Sequence, residues 1–383
     1  MFIFFMDKML WIHYFGANSY IDHMKNRILS VDIFRGLTIA LMIIVNTPGS
    51  WSYVYAPLRH AEWHGWTPTD LVFPFFLFVS GVSFSLSMSR LSDKSTSELM
   101  KKIWKRVALI FLVGLLLNWF PFYHRHIGDL RIFGVLQRIA LAYGLGSTMI
   151  LLLKRNLLLI ASAIVLVGYH ALLLIAGDDP FSLENNLTIT IDKWLIGESH
   201  MYKGFGIPFD PEGLIHSFPA AINVVIGFLI GKYTIVDKQF SILQKVGIGI
   251  GMIALAYLWD FIGFPINKPL WTSSYVFLTC GLGALLLMLL QWIIDDKGWK
   301  KWAFPFKVFG MNPLFSYVLS ILFVKIFFRI SIGEGNVYSW LYNSVFAPML
   351  GDYGGSFGYA LGYTGFIWLF AWMLYRKSII IKL

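Results

Sequence analysis

Nine histidines are spread unevenly along this chain. An imidazole titrates near neutral pH, so it is the side chain best suited to moving protons. His60, His64, His124, His126, His170, His200 and His216 fall on one side of the long apolar runs, and only His13 and His23 fall on the other. The densest polar segment is Arg59-His60-Ala61-Glu62-Trp63-His64-Gly65-Trp66-Thr67-Pro68-Thr69-Asp70. Its two histidines are four apart, but Gly65 and Pro68 argue against one helix carrying both. Thr69 can cap the helix that follows, and Asp70 in the first turn suits the positive end of its dipole. Upstream, Val45-Asn46-Thr47-Pro48-Gly49 closes another helix and leaves the Asn46 amide near the same side. His124-Arg125-His126 offers two zinc ligands, but the cation between them disfavours a metal, and none is expected.

Charged and amide groups also occur within apolar runs, where each is costly and therefore a functional candidate. In Ser30-Val31-Asp32-Ile33-Phe34-Arg35-Gly36, Asp32 and Arg35 are three apart and share a helical face. They form either an anchoring ion pair or a guanidinium poised for a phosphate. Arg138, in Leu136-Gln137-Arg138-Ile139-Ala140, needs an anionic partner: a ligand, or a carboxylate such as Asp129 or Asp260. Asn118, Asn223, the run Asn267-Lys268-Pro269-Leu270-Trp271-Thr272-Ser273-Ser274 and Gly310-Met311-Asn312 add further polarity. Together they imply a polar cavity in a helical bundle rather than a plain lipid-facing scaffold.

The elements that must carry these groups are membrane helices. Of 383 residues, 57% are apolar and only 14% charged, against roughly 45–50% and 25% in soluble domains. Disorder, a coiled coil and an ordinary soluble enzyme are excluded. Runs near 33–48, 69–89, 107–121, 132–153, 157–176, 214–231, 246–262, 272–293, 308–328 and 357–375 predict about ten transmembrane helices in an all-α polytopic protein. An eleventh run, 337–350, is short and holds Pro348, which predicts an interfacial helix. With the N-terminus cytoplasmic and ten crossings, 22 Lys and Arg fall inside and eight outside. That asymmetry favours both termini inside and explains the net charge of +10 without nucleic acid.

Residues 1–27 read as a cytoplasmic or interfacial segment, with an amphipathic helix near the start, no signal peptide, and Met24 as a second candidate start. Residues 28–383 read as one membrane domain. Its longest outer loop, 177–213, carries seven acidic residues, either a solvated surface or a rim that attracts a cationic amine. The single cysteine, Cys280, excludes an intrachain disulfide. Two classes remain: a transporter with a midplane site, and a membrane-embedded group-transfer enzyme. Clustering of histidines on one side favours the enzyme.

The segments Ser30–Gly36, His60-Ala61-Glu62-Trp63-His64-Gly65 and Thr69-Asp70-Leu71-Val72-Phe73-Pro74-Phe75-Phe76 resemble the heparan-α-glucosaminide N-acetyltransferase family, which includes bacterial relatives of a lysosomal enzyme. Leu136–Ala140, Asp210-Pro211-Glu212-Gly213-Leu214, Asn267–Ser274 and Phe309-Gly310-Met311-Asn312-Pro313 continue the likeness in order, over residues 28 to about 375. The resemblance implies transfer of an acetyl group from cytosolic acetyl-CoA to an amino sugar or glycan across the bilayer, by a homodimer. It places the family's essential histidine, in its His-Ala-x-Trp-x-Gly motif, at His60 and its active-site asparagine at Asn46. The spacing between those two is longer here than in the lysosomal enzyme, whose extra lumenal domain and leading helix are not expected in this chain. His60 would act as general base or be transiently acetylated, Asn46 would donate to the thioester carbonyl, and Asp70 would orient the imidazole. Arg35 and lysines of the 94–106 loop would meet the CoA phosphates, with Arg138, Asn267 and Lys268 lining the path. Relatives of this length are also labelled N-acetylglucosamine transporters, so transport of an amino sugar stays the alternative.

Overall fold

The computed structural model describes residues 11–14, 28–91, 93–123 and 126–382. It is all-α apart from four short strands. Among the described residues, eight helices are long and apolar enough to cross a membrane, or nine if the bent pair Phe304–Met311 and Pro313–Phe327 is one span. The chain is an integral membrane protein. The predicted run 107–121 lies in the helix Thr96–Trp119. Lys101, Lys102, Lys105 and Arg106 occupy that helix's first half, so it does not count among the eight.

Contacts divide the chain into two compact units. The first comprises residues up to His60, Thr67–Phe73 and Leu289–Leu383. Its helix Leu29–Asn46 runs backbone to backbone against Phe304–Met311. A Cβ on Gly36 would lie 1.7 Å from the Phe306 carbonyl oxygen, and one on Gly310 would lie 1.9 Å from that of Asp32. Small residues at both crossing points bring the helices this close without a hydrophobic drive from water. The break at Asn312 turns the next helix by 89°. Its amide there donates to the Ile379 carbonyl (3.0 Å) and accepts from the Ile381 N–H (2.7 Å). This ties it to strand Ile379–Lys382, which pairs antiparallel with Trp11–Tyr14. Residues 11–14 are therefore extended rather than part of the expected amphipathic helix, while residues 1–10 and 15–27 lie outside the described residues. The run 337–350 is helical and continues to Arg376, broken only at Gly351 (φ 72, ψ 175), a conformation glycine adopts freely.

The second unit comprises Ala61–Trp66 and Pro74–Met288. Gly81 and Gly227 repeat the close crossing, each placing a notional Cβ 2.0 Å from a backbone oxygen, of Val224 and Phe78 respectively. Toward one end, Tyr169, Leu173, Phe181, Ile189, Phe209, Phe264 and Leu270 form an apolar cluster, against which Trp63 packs. The Trp63 indole donates to the Phe181 carbonyl (2.7 Å), and its ring meets Phe205 and Phe209 edge-on. The 177–213 loop thus folds around Trp63 and buries part of its own acidic complement. Asp192 and Asp210 are buried, so only part of the expected acidic rim is solvated.

Candidate active site

Thr67-Pro68-Thr69-Asp70 begins the helical turn that leads into Val72–Met88. Proline is best placed at the first helical position, where its missing N–H costs nothing. That makes Thr67, not the expected Thr69, the N-cap, and puts Asp70 at the third position of a capping box. The Thr67 N–H donates to Asp70 Oδ2 (3.0 Å). Thr69 instead donates its hydroxyl to the Pro57 carbonyl (3.2 Å). The other carboxylate oxygen of Asp70 lies 2.6 Å from His60 Nδ1. The Asp70 side chain is 1% exposed and the His60 ring 45%. A carboxylate can only accept, so the neutral ring carries its proton on Nδ1 and its lone pair on Nε2. That is the tautomer of a general base.

Asn46 closes its helix with Nδ2 donating to the Met42 carbonyl (2.8 Å), which uses one of the two amide N–H groups. In the same unit Arg35 pairs with Asp32, and Arg35 Nε is buried without a hydrogen-bond partner. A nearby hollow is lined by Ile44, Val45, Tyr53, Tyr55, Leu58 and Phe357 among others, and His60 is not part of its wall. Its walls hold no histidine and no carboxylate.

In the second unit, Arg138 is fully buried and does not pair with Asp129 or Asp260. Its Nη2 donates to the carbonyls of Pro211 (2.9 Å) and Gly213 (3.2 Å), and its guanidinium lies 5.0 Å from the Trp271 ring. Asp260 instead accepts from the Ile266 N–H (2.7 Å). Arg138 Nε and Nη1 are buried without hydrogen-bond partners, so this guanidinium, like that of Arg35, retains unspent donors. Asn267 is different: Nδ2 donates to the Trp63 carbonyl (3.0 Å) and contacts His64 Nδ1 (3.3 Å), while Oδ1 accepts from the Leu270 N–H (2.7 Å). Its amide is committed to holding the Trp63–His64 segment, which leaves little of it for a cofactor. Lys268 beside it is half-buried. Burial holds His64 below its ordinary value against the opposing charges of Asp179 and Asp260.

Sequence reading missed a buried ionic cluster in this unit. Arg131 meets Asp210 at two points (Nε–Oδ2 3.0 Å, Nη2–Oδ1 2.7 Å) and Glu212 at 2.5 Å, with Tyr202 under its face at 4.5 Å. Burial opposes its charge, but the two carboxylates outweigh that and hold it protonated above its ordinary value. The segment Asp210–Leu214 is thus gripped by Arg131, by Arg138 and by Asp192, whose Oδ1 accepts from the Leu214 N–H (3.2 Å). Burial pushes the Asp192 carboxyl up to about 7. Burial, with the Arg138 charge added, holds His216 well below its ordinary value. The signal available in the sequence was the charge pattern Asp210-Pro211-Glu212, which needs a cation. The zinc alternative at His124-Arg125 lies outside the described residues, and no cluster able to hold a metal occurs among those described.

A family model for the catalytic region of heparan-alpha-glucosaminide N-acetyltransferases matches residues 27–194. Over those residues the chain is similar to the catalytic region of the heparan-α-glucosaminide N-acetyltransferases. The matched region of the family contains Arg35, Asn46, His60, Asp70 and Arg138, whereas Asn267 and Lys268 lie beyond it. The human heparan-alpha-glucosaminide N-acetyltransferase is 28% identical over 359 residues, covering 76% of this chain and 52% of that protein. The mouse protein of the same name is 28% identical over 357 residues, covering 76% and 53%. The chain spans about half the length of these curated relatives.

Proposed function

We propose that the chain is a transmembrane N-acetyltransferase. It moves the acetyl group of cytosolic acetyl-CoA to the amine of a glucosamine-type sugar on the extracytoplasmic side of a bacterial inner membrane, with both termini cytoplasmic. Residues 28–383 form the acyltransferase domain. The observation that carries this reading is the His60–Asp70 pair, an exposed imidazole on a buried carboxylate. The relatives' names, which specify acetyl transfer to a glucosaminide nitrogen, support the reaction class, and the distribution of Lys and Arg supports the sidedness.

The thioester supplies an activated acyl carbon to the acceptor nitrogen. His60 Nε2 takes the proton that the amine sheds as it attacks, and Asp70 stabilises the imidazolium that results. The second N–H of the Asn46 amide is the donor for the developing oxyanion. Arg35 in the first unit and Arg138 in the second each have unspent guanidinium donors for polar groups of the donor substrate. Asn267 and Lys268 of the second unit remain candidates as well, with Asn267 acting through the segment it holds.

The test follows labelled acetyl from acetyl-CoA to glucosamine with purified protein, beside His60→Ala. Transfer by the wild type and none by the variant supports the reading. Binding of acetyl-CoA without turnover points to another amino sugar. Absence of acetyl-CoA binding, with uptake of sugar into proteoliposomes, favours the transporter.

A further inference from the structure

The Thr67 hydroxyl makes two contacts that a capping role does not require. Oγ1 lies 2.6 Å from the Arg59 carbonyl oxygen and 3.1 Å from Asp70 Oδ2. A carbonyl cannot donate, so the hydroxyl proton is directed at Arg59, and the Asp70 contact is the longer arm of a three-centre arrangement. Arg59 is the residue immediately before His60. Its own Nε donates to the Val54 carbonyl (2.8 Å), and Thr69 holds the Pro57 carbonyl two positions earlier. One hydroxyl therefore touches both ends of the His60–Asp70 pair: the backbone that carries the imidazole, and the carboxylate oxygen opposite the one the imidazole meets.

We propose that Thr67 is a positioning residue for His60, fixing the rotation of the Asp70 carboxylate and the backbone at Arg59 so that the imidazole stays in its Nδ1–H tautomer. The inference rests on the reading of His60 as the general base. The geometry explains why a single hydroxyl suffices. Asp70 Oδ2 already receives the Thr67 main-chain N–H, which neither valine nor serine removes, so the helix cap survives loss of the side chain. What is lost is the lock between cap and imidazole. A carboxylate held by the main-chain N–H alone, beside a looser backbone at Arg59, is placed less firmly against Nδ1, and a histidine in the wrong tautomer is a poor base whatever its exposure.

The test compares Thr67→Val, close in shape but without the hydroxyl, with Thr67→Ser, which keeps it. The readouts are acetyl transfer to glucosamine and the imidazole 15N shifts of His60 in protein labelled at histidine and reconstituted in nanodiscs. We expect Thr67→Val to lower kcat about tenfold with KM for acetyl-CoA unchanged, and to show His60 in a mixture of tautomers. Thr67→Ser restores the wild-type rate and spectrum. A Thr67→Val protein with the wild-type rate and a pure Nδ1–H tautomer overturns the proposal. So does a folded Thr67→Ser protein with a mixed tautomer, which decides the matter if the valine variant does not fold. The 15N spectrum needs no turnover, so an enzyme inactive on every acceptor would refute the proposed function without deciding the role of Thr67.

Discussion

Asp70 Oδ1 lies 2.6 Å from His60 Nδ1, with the carboxylate buried and the ring 45% exposed. Burial of the acceptor and exposure of the ring give the two partners different jobs, since only the ring is open to a substrate. An asparagine amide in place of the carboxylate would offer an N–H as well as a carbonyl, and the N–H facing His60 Nδ1 would reverse the tautomer. Asp70→Asn is therefore expected to lower the acetyl-transfer rate by about a thousandfold or more while leaving acetyl-CoA affinity within about twofold. Isothermal titration beside the radiochemical assay checks both halves. An Asp70→Asn enzyme with near-normal turnover would remove Asp70 from the mechanism.

The crossing at Gly36 gives a stability prediction independent of chemistry. A methyl group there would meet the Phe306 carbonyl at 1.7 Å, and a backbone atom cannot rotate away. Gly36→Ala should cost about 1–3 kcal/mol through forced separation of the helices. It should lower the apparent Tm in detergent. Gly247, also helical but with open space around it, serves as the control. Gly247→Ala should leave Tm unchanged or raise it slightly, because alanine restricts the unfolded chain more than glycine does.

The two parts of the molecule differ in how readily the sequence discloses them. Helices such as Arg155–Leu174 and Ser273–Leu290 are written as long apolar runs, because the bilayer demands nearly twenty of them in succession. Thr96–Trp119 is harder to classify, since its first half is a basic polar helix and only its second half is apolar. His60 and Asp70 are ten residues apart, which matches neither the helical nor the strand period. Pro68 at the start of the turn is what makes Thr67 the cap and sets Asp70 at the third helical position. The partners of Arg138 were not legible at all. They are the main-chain oxygens of Pro211 and Gly213, and a carbonyl leaves no mark on residue type. Expecting a carboxylate was sound on charge, but Arg131 holds Asp210 and Glu212, the acids of that segment.

The Arg131 cluster gives a prediction of its own. Asp210 is fully buried, and Arg131 neutralises it at two points. Arg131→Met would leave that carboxylate uncompensated, at a cost of about 3–5 kcal/mol. The double variant Arg131→Met with Asp210→Asn removes the stranded charge and should recover much of the loss. Chemical denaturation monitored by tryptophan fluorescence distinguishes the two, and limited proteolysis should cut the 177–213 loop of the single variant first. Equal destabilisation of single and double variants would mean that shape, not charge, is what Arg131 contributes.

Asp192 makes the stability of the fold depend on pH. Its ordinary value is 3.8, and burial beside Asp210, partly opposed by the Leu214 N–H bond and by Arg138, raises it to about 7. Between those values the folded chain keeps a proton that the unfolded chain has lost, so unfolding releases it. Stability from this group is therefore complete below about pH 4, declines as pH rises to about 7 and is flat beyond, over a span of up to about 4 kcal/mol. Asp192→Asn keeps an acceptor for the Leu214 N–H but cannot ionise. The difference in Tm between wild type and this variant should thus grow in the variant's favour from pH 4.5 to 7 and then level off. A difference that is constant with pH would mean that Asp192 is ionised throughout, held so by Arg138. In that case Asp192 would stabilise the turn at Gly213–Leu214 as a fixed charge, and Arg138→Met would be the variant that makes the protein pH-sensitive.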